Sequence, residues 1–163
     1  MIYYEHPFPP IFNAHTRLLI LGSFPSVASR ENNFYYAHPR NRFWKIMACL
    51  TQTYPFPAHV HEKVFMLLKN KIALWDVVQR CTINGSQDGT INNVIPVNLS
   101  LILENSHSQY IFTNGSKAHS LYNQYLLKDV AIEAQKLPST SPANATYNLE
   151  QLLQKWRIIM DYL

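Results

Sequence analysis

Residues 17–47 read RLLILGSFPSVASRENNFYYAHPRNRFWKIM. The run Arg17-Leu18-Leu19-Ile20-Leu21 is short, apolar and stopped by Gly22. It reads as a buried strand that enters a sharp turn. Residues 41–50 predict a helix with Phe43, Trp44, Met47 and Leu50 on one face. A buried strand, a polar and aromatic connection, then an amphipathic helix is how a parallel α/β unit opens.

The rest of the chain continues that alternation. Residues 59–69 read as a helix carrying Val60, Val64, Phe65, Leu67 and Leu68, and residues 72–78 as a second strand-like run. Residues 84–98, rich in Asn, Gly and Ser, are expected to be a long surface loop. A short helix follows over 99–105, after a cap at Asn98. Residues 109–113 are a strand ending at Asn114-Gly115, residues 116–127 a helix, and 130–137 contain a strand ending at Pro138. The last helix starts after Asn148, with Gln151 placed for a capping box. Leu149, Leu152, Leu153, Trp156, Ile159 and Met160 then recur at helical spacing. The expected fold is a three-layer α/β/α sandwich with a short, mostly parallel central sheet, in a single domain over residues 1–163.

Composition narrows the function classes. The chain has 163 residues, 47% hydrophobic and 13% aromatic, which excludes a disordered linker. No apolar run approaches the roughly 20 residues of a membrane span. No secretory signal is visible, and two cysteines, Cys49 and Cys81, are too few for a disulfide scaffold or a four-thiolate cluster. These features predict a cytoplasmic protein. The net charge of +4 is mild, but its distribution is uneven: residues 1–80 hold nine basic and four acidic residues, while 137–149 hold no charge. No Walker-type or GxGxxG loop follows any strand, which disfavours a small-nucleotide-binding protein.

In open α/β sheets, ligands bind beyond the carboxyl ends of the strands. Three segments fall there: residues 22–42, 114–117 and 138–146. Phe24, Phe34, Tyr35 and Tyr36 offer flat faces for stacking a base. Arg30, Arg40, Arg42 and Lys45 suit phosphates, and Lys117 reads the same way. Ser139, Thr140 and Ser141 offer small hydroxyls to phosphate oxygens, between Pro138 and Pro142, with Ala143 and Asn144 at the tip of the loop. Asn side chains combine two donors with an acceptor and suit a base edge or a water. The bland alternative for each is a turn, a cap or core packing. Paired carboxylates find little support, since Glu31 is the only acidic residue of the three segments. His59 and His61, if both helical, lie about 200° apart and make a poor metal pair.

These motifs resemble the uracil-DNA glycosylase superfamily, near its mismatch-specific uracil and thymine enzymes. The matching blocks are Gly22-Ser23-Phe24-Pro25-Ser26, His38-Pro39-Arg40-Asn41-Arg42-Phe43-Trp44, the strand and glycine turn over 111–118, and the Ser/Pro loop over 137–145. The resemblance spans about residues 17–161 and is strongest to the hypoxanthine-DNA glycosylase branch. It implies a monofunctional enzyme that flips out and hydrolyses a deaminated base, hypoxanthine first and uracil second, leaving an abasic site. It implies Asn41 and Asn114 as catalytic residues, Asn41 positioning water and Asn114 contacting base or water. It implies a base pocket of Gly22, Ser23, Phe24, Pro25, Tyr36 and His38. DNA contacts are implied at Ser26, Arg40, Arg42, Lys117, Ser139, Thr140, Ser141, Pro142, Ala143 and Asn144. The implied partner is double-stranded DNA with a damaged or mismatched base, met by a monomer in a prokaryotic cytoplasm, with no metal, cofactor or membrane. One departure matters: where the uracil enzymes carry a water-positioning Asn or Asp, this chain has Phe24, which can neither orient nor deprotonate water. The alternative is therefore a non-catalytic nucleic-acid-binding member of the same fold.

Overall fold

The computed structural model describes residues 2–163. Its centre is β2 (Leu18–Gly22), whose five residues are all buried. A strand covered on both faces must sit inside a sheet. It pairs in parallel with β3 (Ile72–Asp76) on one side and β6 (Tyr110–Asn114) on the other, and β6 pairs in parallel with β7 (Ala134–Leu137). The order is β3-β2-β6-β7. Register brings the strand ends level: Gly22 lies opposite Asp76, and Asn114 opposite Leu137. Residues far apart in sequence thus share one rim. The expected parallel α/β architecture is the observed one.

A second sheet, three-stranded and antiparallel, adds what periodicity did not suggest. It joins β1 (Tyr4–Glu5), β4 (Val78–Thr82) and β5 (Asn92–Pro96) in the order β1-β4-β5. The apolar run over 72–78 is therefore not one strand. After Asp76 the chain leaves the parallel sheet, with Val77 donating its N–H to Gly22 O and accepting from Val97 N. Likewise residues 84–98 are not simply a loop. They hold a 3-10 turn at Asp88–Thr90 and the edge strand β5, whose side chains are half-buried or exposed. An edge strand facing water has a polar composition and tolerates Pro96 at its end, so it resembles a loop in sequence.

The helices are α1 (Val27–Asn32), α2 (Phe43–Leu50), α3 (Val60–Lys69), α4 (Ser100–Leu103), α5 (Ser116–Tyr125), α6 (Leu127–Val130) and α7 (Leu149–Trp156). Ser26 caps α1 by accepting from Ser29 N, and Asn33 ends it at φ 56°, a left-handed conformation that Asn tolerates. The long helix expected over 116–127 breaks at Leu126 into α5 and α6. In α3 only Met66 and Leu67 are buried, while Val60 and Phe65 face outward. The predicted capping box of α7 is present: Asn148 Oδ1 accepts from Gln151 N, and Gln151 Oε1 from Asn148 N. Beyond Trp156 the chain tightens into a 3-10 turn over Arg157–Tyr162.

Helices α2 and α7 pack together through Phe43 and Trp156, both fully buried and meeting edge to face at 5.9 Å between ring centroids. The Trp156 indole N–H also donates to Pro138 O at 2.9 Å. One aromatic side chain therefore fills the core and fixes the start of the rim loop. Trp156→Ala is expected to destabilise the protein by about 3–5 kcal/mol, the usual range for emptying a buried Trp site. Equilibrium denaturant unfolding measures it, as a lowered midpoint at unchanged slope.

Candidate active site

A cavity of about 350 Å³ opens at the carboxyl ends of the parallel strands, within the roughly 300–1,000 Å³ range of small-molecule sites. All three rim segments expected from sequence contribute to it. Gly22 ends β2 and Ser23, Phe24 and Pro25 follow it, Asn114 ends β6, and Ser139 to Ala143 close one side.

Its framework is a hydrogen-bond chain through Thr140. This residue is fully buried. Asn114 Nδ2 donates to Thr140 Oγ1 at 3.0 Å, and Thr140 N returns a bond to Asn114 Oδ1 at 3.0 Å. Thr140 Oγ1 then donates to Asn41 Oδ1 at 2.9 Å, which also accepts from Phe43 N at 2.9 Å. Both lone pairs of Asn41 Oδ1 are thereby engaged. What Asn41 offers the cavity is its N–H2 group, a donor. The two asparagines singled out from sequence are brought together, and Thr140 is corrected from a phosphate contact to a buried internal link.

Arg42 requires a similar correction. Its guanidinium donates to the carbonyls of Thr140, Tyr147, Ser141 and Asn144, and its backbone N–H donates to Thr140 O at 3.1 Å. A planar fork saturated by carbonyls braces a loop and has little left for a phosphate. Ser139 and Ser141 are also engaged within the loop: Ser139 Oγ accepts from Ser141 N, and Ser141 Oγ from Ala143 N. Asn144 Nδ2 donates to Ser139 O at 3.0 Å, so it locks the loop, while Ala143 is exposed at its tip. Pro142 lines the cavity from this loop. Gly115, at φ 96°, lets the start of α5 pass the loop; a Cβ there would lie 3.0 Å from that of Ser139.

The aromatic wall is built and specific. Phe24 is 7% exposed, part of the core and also on the cavity, edge-on to His6 at 6.2 Å. Tyr36 stacks on Phe43 at 4.3 Å, and Phe34 on Trp44 at 5.4 Å. Tyr35 lines the cavity with its ring and donates its hydroxyl to Pro9 O. Burial, with the Asp76 charge second, pushes the Tyr36 phenol well above its ordinary range, so its O–H stays a donor. His38 lines the cavity within a turn, its Nδ1 accepting from Arg40 N. Among the basic residues, Arg40 is exposed and Lys117 half-buried, both at the rim. Arg30 is used internally, donating to Pro25 O and Gly85 O.

Sequence reasoning passed over the cavity's two carboxylates, Asp76 and Asp88, and His6, which is hydrogen-bonded to Asp76. Asp76 is 4% exposed at the end of β3, and its Oδ2 meets His6 Nε2 at 2.7 Å. Its signal was a lone acid closing the apolar run Ile72–Asp76. Asp88 lies on the connection thought to be a plain loop, and Ser23 Oγ donates to it at 2.8 Å. Its carboxyl faces the cavity. Partial removal from water raises its pKa, and Ser23 and the Lys117 charge pull it down. His59 and His61 also differ from expectation: His59 caps α3, so the rings stack at 5.7 Å. Among the described residues, no group of three or more His, Cys, Asp or Glu could hold a metal ion, and no helix is long and apolar enough to cross a membrane.

The carboxyl ends of the parallel sheet thus hold a flat-walled cavity edged by amide donors and carboxylates. The family model of the uracil DNA glycosylase superfamily matches residues 9–161, and the chain belongs to that superfamily. It is similar to two proteins named hypoxanthine DNA glycosylase. It is 32% identical to the one from Methanosarcina acetivorans over 86% of this chain and 89% of that one. It is 29% identical to the one from Methanosarcina barkeri, over 84% and 86%. The solution NMR structure of a Methanosarcina acetivorans protein, provisionally described as a uracil DNA glycosylase, superimposes with a TM-score of 0.82. It is 30% identical and covers 98% of this chain and 97% of its own.

Thr140→Val keeps the side-chain shape and removes the linking hydroxyl. It leaves Asn114 Nδ2 and Asn41 Oδ1 each short of a partner and is expected to cost about 1–3 kcal/mol. Thermal unfolding checks the stability, and it is expected to fall in parallel with base release in a single-turnover assay.

Proposed function

We propose that this protein is a monofunctional DNA glycosylase that excises a deaminated base, hypoxanthine foremost and uracil second, from duplex DNA. The observation that carries the reading is the Asn114–Thr140–Asn41 chain, which aims an amide N–H2 into a base-sized cavity. The relatives named hypoxanthine DNA glycosylase support the choice of base.

The target nucleotide leaves the stack and enters the cavity, at a cost of a few kcal/mol that is least for a damaged or mismatched pair. Phe24 and Tyr36 supply flat faces for it. The N-glycosidic bond then lengthens toward an oxocarbenium-like sugar and an anionic base. Donors at the base and carboxylates near the cation both favour that separation of charge. Asn41 acts as a donor, holding the attacking water by one lone pair and leaving the other for the anomeric carbon; the proton the water sheds goes to the departing base anion. Asn114 holds Asn41 through Thr140 and contacts the base. Gly22, Ser23 and Pro25 shape the floor, and Ser26, Arg40, Lys117 and the loop tip at Ala143 face the DNA backbone. A monomer suffices, since these groups all come from one chain.

The test is direct. Duplex oligonucleotides carrying inosine, uracil, xanthine or ethenoadenine are incubated with the protein, and abasic sites are cleaved with alkali. Strand cleavage at inosine is expected; binding without cleavage of any substrate overturns the reading in favour of a non-catalytic DNA-binding member of the fold. Asn41→Ala is expected to lower the single-turnover rate at least about 100-fold with little change in duplex affinity, because a misplaced water costs transition-state stabilisation alone. Phe24→Ala is expected to weaken excision by the equivalent of about 1–3 kcal/mol of base stacking, read as kcat/KM on the same duplex.

A further inference from the structure

Of the cavity's two carboxylates, Asp88 is the one whose charge is left uncompensated. His6 Nδ1 lies 2.8 Å from Phe8 O, and its Nε2 lies 2.7 Å from Asp76 Oδ2. Both ring nitrogens face acceptors, so the buried His6–Asp76 pair holds the protons that make it net neutral. The Asp88 carboxylate takes one hydrogen bond, from the uncharged Ser23 hydroxyl at 2.8 Å, and among the described residues it has no ion-pair partner. Lys117 acts on it at longer range and, with Ser23, favours its ionised form.

The connection that carries Asp88 is tied to the segment after β2 at three points. Ser23 Oγ donates to Asp88, Val27 N donates to Ser86 Oγ at 2.9 Å, and Arg30 donates to Gly85 O at 3.0 Å. A surface loop is ordinarily mobile; here its one acidic side chain is held in place. That place is a junction. Asp88 lines the base-sized cavity, and it also lines a second groove of about 570 Å³ walled by Lys136, Lys155, Ser116 and Tyr147. The groove presents cations and hydroxyls, the groups that meet a phosphate backbone. In a nucleotide the sugar joins base to phosphate. With the base in the cavity and the backbone along the groove, the deoxyribose lies at the wall the two share. Asp88, Ser139, Ser141 and Ala143 form that wall, and Asp88 is its one charged residue.

We propose that Asp88 is a catalytic residue that faces the deoxyribose of the flipped nucleotide and stabilises the positive charge that forms at C1′. This rests on the proposed glycosylase reading and adds the residue that meets the sugar. The bond from C1′ to the base nitrogen breaks, and its electron pair leaves with the base. The water oxygen bonds to C1′, and the proton it sheds goes to the base anion. Asp88 stays ionised throughout and forms no bond. It is exposed at the cavity mouth in the free protein. A docked duplex covers that mouth, and the loss of water strengthens the attraction between carboxylate and sugar cation.

The experiment measures the affinity of two duplexes that carry no base to excise. One holds a 1-azadeoxyribose unit, whose protonated ring nitrogen stands where C1′ becomes positive; the other holds the neutral tetrahydrofuran unit. Wild-type protein is expected to bind the cationic duplex at least about 30-fold more tightly, as a site complementary to the transition state does. Asp88→Asn keeps the shape and can still accept from Ser23, but carries no charge. It is expected to bind the two duplexes within about threefold of each other and to excise inosine at least about 30-fold more slowly in a single turnover. Its affinity for the neutral duplex is expected to stay at the wild-type value. If Asp88→Asn does not fold, the wild-type ratio decides. Equal binding of both duplexes by wild type, or a full preference retained in Asp88→Asn, overturns the assignment of Asp88 while inosine excision leaves the glycosylase standing. Release of no base by wild type overturns both.

Discussion

Thr140 ties together three pieces of chain: the end of β6, the approach to α2 and the loop after β7. Its hydroxyl accepts from the last residue of β6 and donates to the residue two before α2, across 26 and 99 positions of sequence. Each such bond contributes only about 1 kcal/mol net, yet breaking one strands a buried polar atom at about 1–3 kcal/mol. That asymmetry makes the chain more rigid than its net energy suggests. Arg42 reinforces it from the other side, holding carbonyls of the same loop. The loop at 138–144 is thus preorganised, and less ordering remains to be done when a ligand arrives.

Charge is divided between the inside and the outside of the site. The chain carries a net +4, and Arg40 and Lys117 stand at the rim. The cavity itself holds Asp76 and Asp88. Cations outside draw in a polyanion, and carboxylates inside favour a centre that becomes positive during bond cleavage. A pocket meant only to hold a phosphate would place its charges the other way round. The acidic interior therefore fits the sugar cation of glycosidic cleavage better than a passive backbone site.

The parallel sheet was legible because burial on both faces leaves a plain mark: Leu18 to Leu21 and Ile111 to Phe112 are apolar without alternation. The last helix was legible because Asn148 and Gln151 announce its start. Strand β5 was not, because an edge strand facing water has the composition of a loop. Asn41 and Asn114 were found through their motifs, whereas their link was not, since nothing in a sequence says that Thr140 is buried. Arg42 misled for the same reason: a guanidinium before a helix looks ready for phosphate, and only the fold supplies four carbonyls first. His6 and Asp76 are 70 residues apart, each unremarkable alone, and acquire meaning only where β3 ends beside the N-terminal segment.

Phe24 is the position where this chain departs from the uracil enzymes, and its surroundings explain why a simple exchange would not restore their chemistry. The ring fills space beside His6, and the Arg30 guanidinium lies over it at 5.6 Å. Arg30 in turn also covers Tyr4 at 4.7 Å and holds Gly85 O. A polar amide at 24 would remove the apolar surface on which this arrangement packs and would sit among groups already partnered. The aromatic residue is thus bound up with the N-terminal segment and with the connection over residues 84–90. On the proposed glycosylase reading water is placed from elsewhere, and Asn41, with its oxygen engaged by Phe43 N and Thr140 Oγ1, offers its amide hydrogens for that.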